Sequence, residues 1–459
     1  MMTMKRLTTA LKGVMLVAAV LAVFAAPVAA DEPDKEMKEI KKQIQVLTEE
    51  VERMKLGGAV EPLYESYSGL GPAASKVYGA AKGVYLGGYG ELVYHNYQDA
   101  SMKDYADAYR LVLYAGYKYS DKVVLNTELE FEHGGFKNVG GSETGVSPAV
   151  ANSRTSEVYV EFSYLDFLVS KPLSFRTGLM LVPIGMINEY HEPTVYNGVL
   201  RPDVETNVIP TTWRELGVMA YGKAGIFKYN AAFMNGLRSD RFTGSGWIRN
   251  GRQQGAEVNA DGWAGVVRLE AAPFVGLNAG ATYYRGEAKH GRGKDQDTQG
   301  QTVLAPYEKT GKVQLWEAHA EFKRKTIELK ALYAKGTLQG NGALEAAPPG
   351  GVGKEAIGYY VEAAVDVLPH LTSGGDSSLT PFIRYEKYDT NKRVFNGYRD
   401  SRQQREVRTA GVSFKPNPYV VLKADYQWRD TGSVLANGKG AGRDENKVDQ
   451  LNLGIGFIF

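Results

Sequence analysis

The sequence predicts an all-β chain: a 16-stranded antiparallel transmembrane β-barrel with a short N-terminal coiled-coil helix. Three observations predict it. From residue 83 onward, apolar and polar residues alternate with period two in one segment after another, the pattern of strands with one oily and one wettable face. The connections between these segments alternate strictly between long polar stretches and tight turns. Membrane barrels keep that alternation, whereas Greek-key sandwiches have no reason to. The chain also opens on an export signal and has no later apolar run of membrane-helix length. A mature chain that crosses a bilayer must then do so as a closed barrel, the other way to satisfy every backbone group in lipid.

Residues 1–30, "MMTMKRLTTALKGVMLVAAVLAVFAAPVAA", place Lys5, Arg6 and Lys12 before an uncharged run and small residues. This is the layout of a cleaved signal peptide, with cleavage expected after Ala30 and the following segment left in the periplasm. The run from Val14 to Ala26 is shorter than the ~20 residues of a membrane-spanning helix. In residues 31–56 the apolar positions Met37, Ile40, Ile44, Leu47, Val51 and Met54 are spaced 3, 4, 3, 4, 3, a heptad seam. Glu36 with Lys41 and Glu50 with Lys55 flank it as a parallel coiled coil prefers. Fewer than three heptads make a marginal isolated helix, so a single amphipathic helix lying on another surface is the competing reading. Residues 57–82 are rich in Gly, Ala and Ser and read as a linker.

The barrel is expected over residues 83–459, with strands near 84–97, 107–119, 122–133, 155–165, 172–182, 213–222, 225–236, 262–272, 276–286, 312–323, 325–336, 355–367, 379–389, 405–415, 418–429 and 447–459. Within them Val123, Leu125, Leu129 and Phe131 share a face opposite Asn126, Glu128 and Glu130; Val420, Leu422, Ala424 and Trp428 lie opposite Lys423, Asp425 and Gln427. The last segment, "LNLGIGFIF", sets Leu451, Leu453, Ile455, Phe457 and Phe459 on one side, and Asn452, Gly454 and Gly456 on the other. Trp263, Trp316, Tyr426, Trp428 and Phe459 are candidates for interfacial aromatic girdles.

Composition narrows the function. The absence of cysteine removes disulfides, thiolate metal sites and covalent haem attachment. Lys and Arg number 54 against 52 Asp and Glu, and loss of the three signal-peptide cations leaves near balance, against a nucleic-acid binder. None of the six histidines stands at a zinc-ligand spacing from another, and no G-x-S-x-G elbow occurs. The chain is therefore expected to be no enzyme and to carry no cofactor or metal.

The strand count, the terminal Phe459, the opening "GVYLGGYGELVYHN" and the stretch "PIGMINEYHEPTVYNGVLRPDVETNVIPTTWRELGVMAYG" together resemble the outer-membrane porins grouped with the phosphate-selective porin O and P family, over roughly residues 83–459. The resemblance implies a homotrimeric, bacterial outer-membrane porin for passive diffusion of small hydrophilic solutes or ions, anions such as phosphate among them. Its surroundings would be outer-membrane lipid and lipopolysaccharide, and the N-terminal helix is a candidate for peptidoglycan contact. Sixteen strands leave an aqueous interior, so selectivity must come from what narrows and charges it.

By the same resemblance the third long loop, residues 183–212, folds inward as the constriction. Its candidates are Glu189, His191, Glu192, Arg201, Asp203 and Glu205, with Arg214 and Glu215 at the start of the next strand. Pro183, Pro193, Pro202 and Pro210 would stiffen it; an ordinary surface loop is the alternative. The strand faces assign to the lumen the bases Arg110, Lys118, Arg176, Arg268, Lys330, Arg384, Lys423 and Arg429. They also assign to it the acids Glu128, Glu130, Glu161, Glu317, Glu321, Glu328, Glu362, Glu386 and Asp425. The two signs are nearly balanced, which departs from a basic phosphate ladder. Such balance favours a transverse field or wall-stiffening salt bridges. Two outer loops are basic: Arg238, Arg241, Arg249 and Arg252 in one, Arg393, Arg399, Arg402 and Arg405 in the other. They are candidates for lipopolysaccharide phosphates or for gathering anions. A barrel sheath around electron-carrying proteins and, further off, a barrel hydrolase remain alternatives.

Overall fold

The computed structural model describes residues 67, 69–99, 102–134, 157–289, 294–296, 302–304, 310–340, 344, 351–372, 375–396, 399–432 and 448–459. The expected signal peptide and coiled coil lie outside the described residues. The strands are β1 (Gly83–Tyr97), β2 (Tyr105–Ser120), β3 (Val123–Glu132), β4 (Glu157–Ser170), β5 (Leu173–Leu181), β6 (Arg214–Ala224), β7 (Phe227–Asn235), β8 (Trp263–Ala271), β9 (Leu277–Lys289), β10 (Lys294–Gln296), β11 (Thr302–Leu304), β12 (Thr310–Arg324), β13 (Ile327–Gly340), β14 (Glu355–Val365), β15 (Ser378–Arg393), β16 (Gln404–Asn417), β17 (Val420–Thr431) and β18 (Gln450–Ile458). All but β10 and β11, a small hairpin within one long loop, form a closed barrel of sixteen antiparallel strands in which each pairs with its sequence neighbours. Every expected strand is present, with boundaries shifted by a few residues.

Closure is made by β1 and β18, in register from Tyr89 opposite Ile458 to Tyr97 opposite Gln450. Just beyond, Gly88 and Phe459 exchange both backbone hydrogen bonds, at 3.0 and 2.9 Å. No sheet edge is left unpaired at the seam, as a barrel in lipid requires. The period-two reading fixes which face turns outward. On β18 and just past its end, Leu451, Leu453, Ile455 and Phe459 are 37–48 % exposed, while Gln450 and Asn452 are buried. Trp263, Trp316 and Trp428 also face out, among a broad set of exposed Leu, Val, Ile and Phe side chains. An outward apolar band of this extent is written for lipid rather than for water.

The interior is not empty. Within the stretch expected to be linker, α1 (Pro72–Gly79) is helical, with Pro72 in its first turn, where the missing N–H has no cost. Ala73, Ala74, Ser75, Lys76, Val77 and Tyr78 are all buried, and the helix packs against β1, β2 and β3. Val77 fits there because Gly116 of β2 lacks a side chain; a Cβ at Gly116 would lie 2.4 Å from it. Lys118 donates to the carbonyls of Tyr78 and Ala80 at 3.3 and 3.0 Å, placing a cation at the negative end of the helix.

Candidate functional site

The connection from β5 to β6, residues 182–213, lies against the inward faces of the barrel and contains one short helix, α2 (Val204–Asn207). Its two ends are clasped by Asn188. The Asn188 amide donates to the carbonyls of Val182 and Trp213 at 2.7 and 3.0 Å, and its oxygen accepts from the Trp213 amide at 2.7 Å. Glu205 holds the next turn: its carboxylate accepts from the amides of Met186 and Ile187 at 2.7 and 2.8 Å, and from the Tyr360 hydroxyl of β14 at 2.6 Å. Glu192 caps α1, accepting from the Ala73 and Ala74 amides at 3.0 and 2.9 Å. Those amides have no partner within the helix, so the loop and the helix complete each other.

The far wall is bonded to the same loop. Asp425 accepts from the Val199 amide at 2.6 Å, and Lys423 donates to the Gly198 carbonyl at 2.8 Å. Arg384 donates to the Leu200 carbonyl at 3.1 Å, and Glu386 accepts from the Val204 amide at 3.2 Å. Asn197 donates to Glu328 and Glu362 at 3.2 and 3.0 Å, and Asp203 pairs with Arg429 at 2.5 Å. On β1 Glu91 accepts from the Tyr196 hydroxyl at 2.9 Å. The loop therefore bridges opposite sides of the barrel. The glycines of "LNLGIGFIF" belong to this arrangement: a Cβ at Gly456 would meet Pro193 at 2.6 Å, and one at Gly454 would meet Val199 at 3.1 Å. The bare inner face of the last strand is the surface on which the loop lies.

Many of the expected lumen charges thus hold protein rather than face open water. Arg176 forms a pair with Asp166 at 2.9 Å, both buried. Glu317 accepts from Thr282 at 2.6 Å and from His319, and Arg268 bonds Glu270 and the Gly185 carbonyl. Lys330 bridges Glu328 and Glu321 at 2.7 and 3.5 Å. Glu215, expected at the constriction, instead supports the loop between β7 and β8, accepting from Asn235, Gln253 and Trp213. Asp166, Asn188, Glu270 and α1 escaped the sequence reading; only Pro72 after Gly71 signalled the helix.

Two charged cavities lie in this part of the molecule, the first lined in part by the loop itself. One of about 630 Å³ opens among residues near the tight turns and is lined by both signs of charge, with Glu189, Glu270, Glu321 and Glu328 facing Lys228, Arg268, Lys323 and Lys415. The other, about 620 Å³, lies among the long loops and is lined by Arg214, Arg238, Arg241 and Arg252 with Tyr159 and Glu257. Burial, reinforced by Arg249 and Arg214, lowers the Arg252 pKa to about 9. In the second basic loop, Arg399 and Arg402 pair with Asp389 and Asp400.

Titration in the inward loop is dominated by burial. It pushes Glu189 up to about 7 against the pull of Arg268 and Arg176. Burial also raises Glu192 and Glu205 in spite of the amides they accept from. Asp203 is the exception: burial acts upward there too, but Arg429 and Tyr388 hold the carboxyl below its ordinary value. Burial, aided by the positive charge of Arg201, depresses His191 to about 3, so its ring is neutral at physiological pH. His191 Nδ1 faces the Asn188 carbonyl at 3.0 Å. Nδ1 therefore carries the proton, and Nε2 presents its lone pair toward Glu128 at 3.5 Å and Glu161 at 3.8 Å.

No protein-family profile matches the chain. Among solved structures, OmpF of Salmonella typhi in complex with daunomycin aligns with a TM-score of 0.50 at 14% identity, over 82% of this chain and 97% of that one. The in-vitro folded trimer form of OmpT from Vibrio cholerae gives 0.49 at 14% identity, over 83% and 100%. The anion-selective porin of Comamonas acidovorans gives 0.46 at 14%, over 82% and 99%. The match to OmpF is one of fold: the sixteen-stranded outer-membrane barrel. In sequence, an uncharacterized protein of Aquifex aeolicus (strain VF5) is 33% identical over 385 residues, covering 82% of this chain and 83% of that protein. The chain belongs to the same family as this Aquifex aeolicus protein.

Proposed function

We propose that the protein is a porin of the bacterial outer membrane, a non-enzymatic channel for passive diffusion of small hydrophilic solutes or ions. The observation that carries this reading is the loop of residues 183–212, bonded across the inside of a closed barrel and bordering a charged cavity. A side-chain-filled barrel has no use for such a crossing, whereas a channel wide enough for water needs one to set its bore. The constriction is assigned to Glu189, Arg201, Asp203 and their neighbours on this loop. The arginine-lined outer cavity favours anions at the entrance, and the mixed inner cavity relaxes that preference. Phosphate is one anion of suitable size, as the resemblance to phosphate-selective porins implies. Occupation of the interior by α1 and the loop weighs against a sheath around a second protein. A trimer is proposed from the heptad seam of residues 37–54 together with that resemblance.

The test is reconstitution of the folded protein into planar bilayers. Stepwise, nearly ohmic conductance is expected, with a reversal potential in a KCl gradient that reports modest anion preference. Silent bilayers at high protein density would overturn the channel, and cation preference would overturn the role given to the arginine cavity. Loss of detergent-resistant oligomers on deletion of residues 31–56 would tie assembly to the heptads; retention would detach it from them.

A further inference from the structure

The residues around His191 hold an arrangement that neither permeation nor loop anchoring uses. Glu128 on β3 and Glu161 on β4 face the lumen side by side, and His191 reaches them from the inward loop. One donor atom from each of the three lies within 4.8 Å of the others. All three residues are at most 2 % exposed. Among the described residues no oxygen of Glu128 or Glu161 receives a hydrogen bond from a protein N–H or hydroxyl, and His191 Nε2 has no hydrogen-bond partner either. Buried carboxylates without compensation are strongly unfavourable. The nearby cations are directed elsewhere. Arg110 lies 3.3 Å from Glu91 and 3.4 Å from Glu130. Arg201 donates to Thr211 and to the His191 carbonyl, and Arg214 to the Thr212 carbonyl and Gln254.

We propose that Glu128, Glu161 and His191 form a binding site for a divalent transition-metal ion, which ties the inward loop to the wall formed by β3 and β4. The imidazole supports this independently of the acids. Its Nδ1 proton is fixed on the Asn188 carbonyl, the arrangement by which metal-binding histidines are oriented, and its free lone pair points between the two carboxylates. The spacing also fits. Ligands at ~2.0–2.1 Å in tetrahedral array stand about 3.4 Å apart, close to the 3.5 and 3.8 Å from Nε2 to the two carboxylates. One imidazole with two carboxylates suits Zn²⁺ or Mn²⁺ better than Mg²⁺, which keeps several waters, and better than thiophilic Cu⁺. The ion would neutralise two buried charges and cross-link residues 30 and 63 positions apart in sequence.

The full chain, folded in detergent and stripped with EDTA, is incubated with excess ZnCl₂ or MnCl₂, desalted and assayed by inductively coupled plasma mass spectrometry. About one equivalent per chain is expected for the wild type and for H370A, whose histidine is exposed in the short helix Leu368–Leu371 between β14 and β15. At least tenfold less is expected for H191A and for the double variant E128Q/E161Q. Zinc should raise the unfolding temperature of the wild type and of H370A and leave that of H191A and E128Q/E161Q unmoved. Should H191A fail to fold, the double variant, which only removes buried charge, carries the test. A folded wild type that binds no metal, its carboxyls then sharing protons among themselves, would overturn the proposal. So would H191A or E128Q/E161Q binding as much as the wild type. Metal stoichiometry is read without any channel activity, so it stands or falls apart from the porin reading.

Discussion

Glu189 should make the inward loop most stable in acid. Its carboxyl sits in the loop 3.7 Å from Arg268, and burial nonetheless carries its pKa from 4.5 to about 7. A group whose folded pKa is raised contributes stability that is fully present below the unfolded value and is lost as pH rises through the folded one. The window here runs from about pH 4.5 to 7. A shift of that size corresponds to about 3 kcal/mol. Because Glu189 also borders the 630 Å³ cavity, where water screens it, the working figure is roughly half, about 1.5–2 kcal/mol. His191 acts in the opposite sense: its depressed pKa removes stability as pH falls below its ordinary value of about 6.5, so the wild-type profile alone does not isolate the Glu189 carboxyl. The difference between the wild type and E189Q isolates the carboxyl. Measured by reversible urea unfolding in detergent from pH 4 to 8.5, E189Q should gain on the wild type through the window and level off above pH 7.5. Parallel curves across that range would refute the burial argument.

Other consequences are as direct. Deleting residues 190–208 should raise single-channel conductance severalfold, and an unchanged value would remove the loop from the bore. G456V places a branched side chain where a Cβ alone meets Pro193 at 2.6 Å; overpacking of this kind costs about 1–3 kcal/mol. Urea titration should show that loss and bilayer recordings a noisier, larger conductance, whereas wild-type behaviour in both would mean the loop does not rest on β18. E192A deprives α1 of two charge-assisted caps worth together about 3 kcal/mol. Trypsin should then cut after Lys76, buried in the wild type, and continued resistance would show the helix to be held without its cap.

The strands were legible because a period of two is a local property: whatever lies outside, lipid or core, each side chain must choose a face. Leu453 and Asn452 declare theirs without reference to anything else in the chain. The inward loop was legible in part, through its length and its four prolines. Its anchors were not, since Asp425 reaches Val199 and Lys423 reaches Gly198 across more than two hundred residues of sequence. Reading those charges as lumen-facing does not say what they touch. The helix α1 was hidden for another reason. Eight residues of "PAASKVYG" are too short to be stable by propensity alone, and its stabilising contacts come from Glu192, Lys118 and Gly116. His191 illustrates the same limit. Beside Glu192 in sequence it forms an unremarkable pair, and only the pairing of β3 with β4 brings Glu128 and Glu161 to its ring.

The two bare positions of the last strand carry a lesson for engineering. Gly454 and Gly456 are the recess into which Val199 and Pro193 settle, so the loop and the wall behind it are one specification divided between distant parts of the gene. A designer who grafts residues 183–212 into another barrel without also carving that recess would transplant the loop and leave behind its seat. Conversely, pore libraries that randomise the loop while keeping both glycines would retain the landing surface and vary only what lies upon it.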